Sequence, residues 1–160
     1  MTIKAGERMP SGTLKTMTAE GPKDLSTDEI FKGKKVVLFS VPGAFTPTCS
    51  AKHLPGFVEQ AAAIKAKGVD TIACLAVNDV FVMGAWGKSA QVGDKVLMLA
   101  DGSGDYSRAL GLEMDLRAAG LGMRGQRFAL IVQDGIVKSA LIEAPKDFKV
   151  SSAEYVLSQL

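Results

Sequence analysis

The sequence has few of the residues that build cross-linked or metal-bound folds. Its 160 residues include two cysteines, Cys49 and Cys74, and one histidine, His53. Two cysteines are too few for a disulfide framework, and with a single histidine they cannot complete a four-ligand zinc site. We therefore expect neither a structural metal nor a bound cofactor. A reducing compartment fits this cysteine usage, and the cytoplasm is the default.

Long apolar runs and blocks of like charge are also missing. No apolar segment approaches the ~20 residues needed to span a membrane, and residues 1–8 lack the apolar core of a signal peptide. The formal net charge is +2, and the lysines and arginines are dispersed, so we do not expect nucleic-acid binding. With 47% hydrophobic and 22% charged residues, the composition and length suit one globular domain covering residues 1–160.

Apolar runs alternate with amphipathic segments along the chain, which predicts an α/β fold built on a central sheet. The predicted strands cover residues 14–18, 36–41, 71–77, 96–100, 128–132 and 136–142. Asp134-Gly135 is typical of a tight hairpin between the last two. The predicted helices cover residues 57–68, with Pro55 bending the first turns, residues 80–88, and the C-terminus after a capping box at 151–154. The pattern alone is compatible with several α/β folds.

Cys49 lies where a predicted strand gives way to a helix, within Pro42-Gly43-Ala44-Phe45-Thr46-Pro47-Thr48-Cys49-Ser50. The unpaired N–H groups of a first helical turn and the positive end of the helix dipole favour negative charge there. A thiol at this position should therefore ionise more readily than a free one, and the thiolate is the nucleophilic form. Cys49 is the first candidate for chemistry, although a cysteine in such a place often only fills space.

The residues around Cys49 carry a family resemblance. Pro42, Thr46 and Cys49 form Pro-x-x-x-Thr-x-x-Cys, which resembles the peroxidatic signature of the peroxiredoxins. The continuation His53-Leu54-Pro55-Gly56-Phe57 is similar to the type II, or peroxiredoxin-five-like, branch. The similarity extends through residues 74–79, 81–83, 85–88, 99–102 and 127–132, and so covers nearly the whole chain. It implies a thioredoxin-like fold, with a central mixed β-sheet flanked by helices.

The resemblance also implies an activity and the residues that carry it. It indicates a thiol-dependent peroxidase that reduces hydrogen peroxide and organic (alkyl) hydroperoxides through a sulfenic acid on Cys49. At the matching positions, the Thr46 hydroxyl accepts a proton from the peroxide and donates to the sulfur, and Arg127 places a cation beside the thiolate. Pro42 shields the sulfur from water. Arg124 is either a supporting charge or a surface residue.

Two other classes of function stay open at this point. His53 lies four residues after Cys49, where both side chains could share one helix face, as a cysteine hydrolase would need. Against this, Pro55 distorts that helix and no Asn or Asp partner is identifiable. The other alternative is a peroxide-responsive redox sensor or interaction protein that oxidises without efficient turnover.

One acidic segment resembles the start of a calcium-binding loop. It is Asp101-Gly102-Ser103-Gly104-Asp105, but Tyr106 stands where such a loop needs glycine, and the final carboxylate is misplaced. We therefore predict a turn.

Cys74 lies in the apolar segment 71–77, where a cysteine is expected to act as a small core residue. Some type II relatives form an internal disulfide with a second cysteine near the C-terminal helix, and this chain has no thiol there. The segment Val150-Ser151-Ser152-Ala153-Glu154 resembles plant-type and bacterial members, which implies glutathione with glutaredoxin, or thioredoxin, as a separate reductant.

A dimer surface is also predicted. Phe45, Phe81, Val82 and Trp86 flank the proposed site and are large apolar residues that a monomer has limited means of covering. Members of this branch commonly pair through such a surface, so we expect a homodimer. The alternative is that these side chains pack inward as core.

Overall fold

The computed structural model describes residues 1–160. Its nine strands are β1 Thr13–Thr18, β2 Gly21–Ser26, β3 Lys35–Ser40, β4 Thr71–Ala76, β5 Leu97–Ala100, β6 Glu113–Leu116, β7 Gly122–Gly125, β8 Phe128–Gln133 and β9 Ile136–Ile142. Its five α-helices are α1 Thr27–Phe31, α2 Leu54–Lys65, α3 Val80–Ser89, α4 Asp105–Ala109 and α5 Ala153–Ser158. A π-helical turn, Cys49–His53, leads into α2, and a 3₁₀ turn covers Arg117–Ala119.

Seven strands form one mixed sheet in the order β2-β1-β5-β4-β3-β8-β9. The central strands β3, β4 and β5 are parallel, whereas β8 runs antiparallel to β3. The short strands β6 and β7 pair separately. The arrangement confirms the predicted α/β class with a central mixed sheet. α2 is the longest helix, at 12 residues, and none of the helices combines the length and apolar character that crossing a bilayer requires.

The core lies on both faces of this sheet. On β3, Val37 and Phe39 belong to the cluster under α2, α3 and α5, while Val36 and Leu38 belong to the cluster on the opposite face. Successive residues of a strand point to opposite faces, so a strand covered on both sides is apolar throughout. The Phe39 ring stacks on Phe57 of α2 with centroids 4.0 Å apart. This contact fixes α2, and with it the turn that precedes α2, against the sheet.

The sequence pattern did not predict β2, β6, β7, α1 or α4. β2 is an edge strand with three exposed residues and none buried, and its Pro22 is tolerated because an edge strand leaves one row of backbone groups unpaired. The other four elements are only four or five residues long. Such short segments give little periodicity to detect.

The predicted capping box at residues 151–154 is wrong by one residue. Ser152 is the N-cap of α5, and its hydroxyl accepts the N–H of Tyr155 at 3.2 Å, which leaves Glu154 outside the box. The side chain of Ser151 instead turns inward. A capping box does occur at α1, where Ser26 and Glu29 each accept the other's backbone N–H at 3.1 Å.

The segment that resembles a calcium loop is a turn, as predicted. The buried carboxylate of Asp101 accepts the N–H groups of Tyr106 at 3.1 Å and Ser107 at 2.7 Å. These are unpaired donors of the first turn of α4, so Asp101 serves that helix start.

Candidate active site

Cys49 begins a widened helical turn at the end of the loop that follows β3. Pro47 and Thr48 are already helical, and the turn Cys49–His53 closes with the N–H of Leu54 donating to the Cys49 carbonyl, a π-type hydrogen bond. Pro55 follows directly, has no N–H, and crowds the preceding turn of a regular α-helix. A π-turn relieves that conflict, and such turns are frequent at functional sites. The Cys49 side chain is fully buried.

Arg127 meets Cys49 because of the strand register. Ser40, the last residue of β3, pairs with Phe128, the first residue of β8, so the residue before β8 lies at the sheet end from which the Cys49 loop departs. The Nη2–H of Arg127 donates to the Cys49 sulfur at 3.1 Å. The two residues are 78 positions apart, and the structure brings them together as the resemblance implied.

His53 is fully buried between Arg127 and Ser151. Its Nε2 lies 2.9 Å from the Ser151 carbonyl and its Nδ1 lies 2.7 Å from Nη1 of Arg127. A carbonyl cannot donate, so Nε2 carries the hydrogen and Nδ1 accepts from the guanidinium. The pKa of His53 is lowered from 6.5 to about 3, mainly because the ring is buried and to a smaller extent because Arg127 is positively charged. Both nitrogens are therefore occupied, which argues against a hydrolase in which His53 deprotonates Cys49.

Thr46 does not make the hydrogen bond to sulfur that the resemblance implied. Its hydroxyl donates to the Gly43 carbonyl at 2.7 Å within the same loop. A hydroxyl has one hydrogen and two lone pairs, so the oxygen can still accept a hydrogen bond. The expected role as acceptor fits the geometry, whereas the role as donor to Cys49 does not.

Arg124 lies beside the site, where it contacts Pro42 and Gly43. Its Nη1–H donates to the Pro42 carbonyl at 3.3 Å, and its Nε–H donates to the Leu121 carbonyl at 2.7 Å. A Cβ added at Gly43 would lie 2.9 Å from Nη1 of Arg124 and 3.1 Å from Cγ2 of Thr46. Arg124 is thus a supporting charge for the loop. A larger residue at position 43 would push the Arg124 guanidinium away from its place beside Pro42.

A groove of about 670 Å³ opens beside Arg127, whose guanidinium contacts the buried Cys49 sulfur. Its walls include Pro42, Thr48, Met114, Leu116, Arg127 and Phe148. The Phe148 ring lies 5.8 Å from the Arg127 guanidinium carbon and packs edge-on against His53. The lining also includes the charged residues Asp115, Glu143, Lys146 and Asp147, so the groove presents apolar side chains beside charged groups of both signs.

Cys74 is a core residue, as predicted. It lies in the middle of β4, fully buried, with Phe39 of β3 and Met98 of β5 as its register partners. It belongs to the same apolar cluster as Cys49. Burial raises the pKa of the Cys74 thiol, which makes it a poor nucleophile.

The four residues of the predicted dimer surface divide into two groups. Phe45 and Phe81 expose 54% and 65% of their surface, and Val82 is half-buried. Trp86 is only 1% exposed, so its assignment to the surface is wrong: it packs in the core and its Nε1–H donates to the Ser50 hydroxyl at 2.9 Å. Phe45 has a φ of +63°, a strained conformation for a bulky residue.

Comparisons with known proteins place this geometry in a family. The Redoxin family model matches residues 4–157. Peroxiredoxin-2B of Arabidopsis thaliana is 49% identical over 99% of the chain and 98% of its own length. The chloroplastic peroxiredoxin-2E-2 of Oryza sativa is 51% identical over 99% of the chain and 73% of its own length. The chain belongs to the peroxiredoxins.

The solved structures agree with this assignment. Reduced Prx3 of Vibrio vulnificus in complex with H₂O₂ superposes with a TM-score of 0.95, at 51% identity and with 99% of each chain covered. The peroxiredoxin described here thus has the thioredoxin-like fold of its family, and the type II branch is consistent with these relatives. The chain is accordingly a thiol-dependent peroxidase, an oxidoreductase.

Several residues that build the site were not predicted as site residues from the sequence. Asn78 accepts the N–H of Ala44 at 2.9 Å and so anchors the Cys49 loop to the end of β4. Glu143, Phe148 and Ser151 follow β9 and pack around His53 and Arg127. Phe148 could have been noticed as the one large apolar residue in a polar segment. Asn78 and Ser151 have partners 34 and 98 residues away, which no local pattern can show. Glu143 has partners only six and eight residues away, but its segment has no regular secondary structure that would reveal the contact.

Proposed function

We propose that Cys49 is the peroxidatic residue of this peroxiredoxin and that it reduces hydrogen peroxide and alkyl hydroperoxides. The observation that carries the proposal is the contact between Nη2 of Arg127 and the Cys49 sulfur, at 3.1 Å. The guanidinium is a permanent cation in direct contact with the sulfur that would react. The same guanidinium adjoins the position where negative charge develops as the peroxide bond breaks.

In the proposed reaction, the Cys49 thiolate attacks one peroxide oxygen and forms a sulfur–oxygen bond. The oxygen–oxygen bond breaks, and the second oxygen leaves with the bond's electron pair and takes up a proton, as water or an alcohol. Cys49 becomes a sulfenic acid. Thr46 accepts a hydrogen bond from the peroxide through its free lone pairs, and Arg127 stabilises the developing charge.

Two features of the site favour peroxides over other oxidants. The sulfur is fully buried, and Pro42, whose ring offers no N–H to water, lies in the wall of the neighbouring groove. A small hydroperoxide that enters this groove meets Arg127, which lies beside the sulfur. The apolar side chains of Met114, Leu116 and Phe148 are available to an alkyl tail.

The sulfenic acid needs an external thiol. The other cysteine, Cys74, is buried with a raised pKa and is a weak candidate for resolution. We propose that glutathione condenses with the sulfenic acid to a mixed disulfide, with loss of water. A glutaredoxin thiol, or a second thiol donor such as thioredoxin, then reduces that disulfide and regenerates Cys49.

The cellular setting and the assembly are also proposals. Both cysteines are free, and a thiol reductant has to be abundant, which favours a reducing compartment such as the cytoplasm. We propose a single-domain protein that pairs as a homodimer, because two large aromatic side chains are exposed: Phe45 in the Cys49 loop and Phe81 on α3.

A matched pair of cysteine variants tests the proposed role. Cys49→Ser should abolish peroxide consumption, because it removes the nucleophile. Cys74→Ala should keep most turnover with glutathione and glutaredoxin, since it removes only a small buried side chain. Full consumption by Cys49→Ser, or a matching loss in Cys74→Ala at unchanged folding, would overturn the assignment.

The redox-sensor alternative predicts a different time course. A sensor would consume about one equivalent of peroxide per chain and then stop with any thiol donor. A peroxidase continues until the donor is exhausted. The named peroxiredoxins among the relatives favour repeated turnover.

A further inference from the structure

The segment between β9 and α5 contains neither helix nor strand, yet it closes over Arg127 and His53. One buried carboxylate organises it. Glu143 is 7% exposed, and its Oε2 accepts the N–H of Lys149 at 2.7 Å, the N–H of Ser151 at 2.8 Å and the hydroxyl of Ser151 at 2.7 Å. Glu143 forms no ion pair, so these hydrogen bonds are what stabilise the buried charge.

Ser151 links Glu143 to His53. The Ser151 side chain is fully buried, and both of its donors point at Glu143, which leaves its carbonyl facing Nε2 of His53 at 2.9 Å. Only the Nε2–H tautomer can make that hydrogen bond, and in this tautomer Nδ1 presents a lone pair. The position of Ser151 therefore decides which nitrogen of His53 is an acceptor.

The hydrogen bonds from Glu143 through Ser151 and His53 lead to Arg127. Nη1 donates to Nδ1 of His53 at 2.7 Å, and Nη2 donates to the Cys49 sulfur at 3.1 Å. The Arg127 carbonyl also accepts the N–H of Glu143 at 3.1 Å. Since a guanidinium is planar, fixing one Nη group on His53 fixes the direction in which the other one points.

We propose that Glu143 and His53 are positioning residues of the peroxidase reaction: Glu143 holds Ser151 so that His53 keeps one tautomer, and that tautomer aims Arg127 at the Cys49 sulfur. The inference rests on the proposed function in that it takes Arg127 to act on Cys49. It goes further by assigning a role to a carboxylate that does not touch Arg127's guanidinium, Cys49 or the peroxide.

The low pKa of His53 supports the arrangement. A histidine with a pKa of about 3 stays neutral, so Nδ1 keeps its lone pair under all ordinary conditions. A charged His53 would have hydrogens on both nitrogens and would repel Arg127. Phe39 and Phe57 pack against the ring at 4.9 and 5.7 Å, which keeps water away from it.

The tautomer can be read directly because His53 is the only histidine in the chain. In ¹⁵N-histidine-labelled protein, the two ring nitrogens should show the neutral Nε2–H form, with no titration between about pH 5 and 8. Glu143→Gln keeps an acceptor oxygen and should keep that spectrum. Glu143→Leu leaves Ser151 unanchored and should give mixed tautomers or a titrating ring. The Nδ1–H tautomer in the unmodified protein, or an unchanged spectrum in Glu143→Leu, would overturn the inference.

A kinetic test uses two His53 variants that keep different halves of the network. In His53→Asn, the shorter amide places an oxygen near the position of Nδ1 and can still accept from Arg127. In His53→Gln, the longer amide reaches the position of Nε2 and can still donate to Ser151, but the acceptor for Arg127 is lost. Single-turnover oxidation by hydrogen peroxide should be slowed about ten- to a hundredfold in His53→Gln and much less in His53→Asn.

Arg127→Ala distinguishes a failure of the positioning role of Glu143 and His53 from a failure of the proposed function. If Arg127→Ala is slow while His53→Gln and Glu143→Leu react at the unmodified rate, the positioning role is wrong and the proposed function stands. If Arg127→Ala also reacts at the unmodified rate, the role of Arg127 fails and the positioning role fails with it. The His53 pair also covers the case in which Glu143→Leu does not fold.

Discussion

The hydroxyl of Thr46 donates its only hydrogen to the carbonyl of Gly43, at 2.7 Å, and not to the sulfur of Cys49. This bond closes the loop on itself and directs the free lone pairs of the oxygen away from the Gly43 carbonyl. The sulfur receives its hydrogen bond from Arg127 instead. In the proposed mechanism the two residues therefore have different roles: Thr46 accepts a hydrogen bond from the peroxide, and Arg127 donates one to the sulfur.

This division predicts different outcomes for two Thr46 variants. Thr46→Val has nearly the same shape but no oxygen, so we expect single-turnover oxidation to be about a hundredfold slower at unchanged folding. Thr46→Ser keeps the hydroxyl and should stay within a few-fold of the unmodified rate. Stopped-flow tryptophan fluorescence, which reports through Trp86, can follow both. Equal rates in the Val and Ser variants would remove the hydroxyl from the mechanism.

The second prediction is that one turnover leaves no disulfide between Cys49 and Cys74. Cys74 lies in a central strand, paired with β3 on one side and β5 on the other, so moving it would break two ladders of hydrogen bonds. Burial also raises the pKa of its thiol. After one equivalent of peroxide without added thiol, intact mass spectrometry should show a gain of one oxygen.

A disulfide between Cys49 and Cys74 would also be recognised from the measured mass. A loss of two hydrogens, together with a peptide linking Cys49 to Cys74, would make Cys74 the resolving thiol. A Cys74→Ala protein cannot form that link and serves as the control. It should gain one oxygen in the same experiment whichever result the unmodified protein gives.

The third prediction concerns association. Phe81 is 65% exposed on α3 and Phe45 is 54% exposed in the Cys49 loop, so a charge placed at either position should weaken a dimer built on them. We expect Phe81→Arg to sediment as a monomer at concentrations where the unmodified protein is a dimer. Tyr155→Arg, at an exposed aromatic residue on α5, is the control and should remain dimeric. An unmodified protein that is monomeric at tens of micromolar would contradict the proposal.

The sequence predicted the long buried elements well, and for a physical reason. β3, β4 and β8 are covered on both faces, so each is an uninterrupted apolar run, and the ends predicted for them were within one residue of the observed ones. β2 was missed because none of its six residues is buried, and β6 and β7 were missed because each has only four residues and is partly exposed. Trp86 was assigned to the surface because residue type alone does not show which side of a short helix faces the core.

The site was predictable only where a local motif or a family resemblance carried it. Cys49, Thr46 and Pro42 lie within one segment, and Arg127 was located by its match to the family. The network behind Arg127 depends on contacts such as that of His53 with Ser151, which are 98 residues apart. No local pattern encodes such a pair, because the register of β3 with β8 and the path of the segment after β9 bring it together.

The fourth prediction follows from the burial of His53. Its pKa is about 3 in the folded protein and near 6.5 when the chain unfolds. Between these values the unfolded state binds a proton that the folded state does not, so the free energy of unfolding rises with pH. The contribution of His53 is therefore fully present above about pH 6.5 and is lost as the pH falls toward 3.

Urea denaturation of the unmodified protein and of His53→Asn can isolate this contribution. Lowering the pH from about 7 to about 5 should remove about 2 kcal/mol from the free energy of unfolding through His53 alone. Asparagine does not titrate, so the free energy of unfolding of His53→Asn should fall less over this range, by that same amount. The aspartates and glutamates affect both proteins alike. Equal losses in the two proteins would mean that His53 ionises with a similar pKa in the folded and unfolded states. That result would contradict a buried, neutral ring between Ser151 and Arg127.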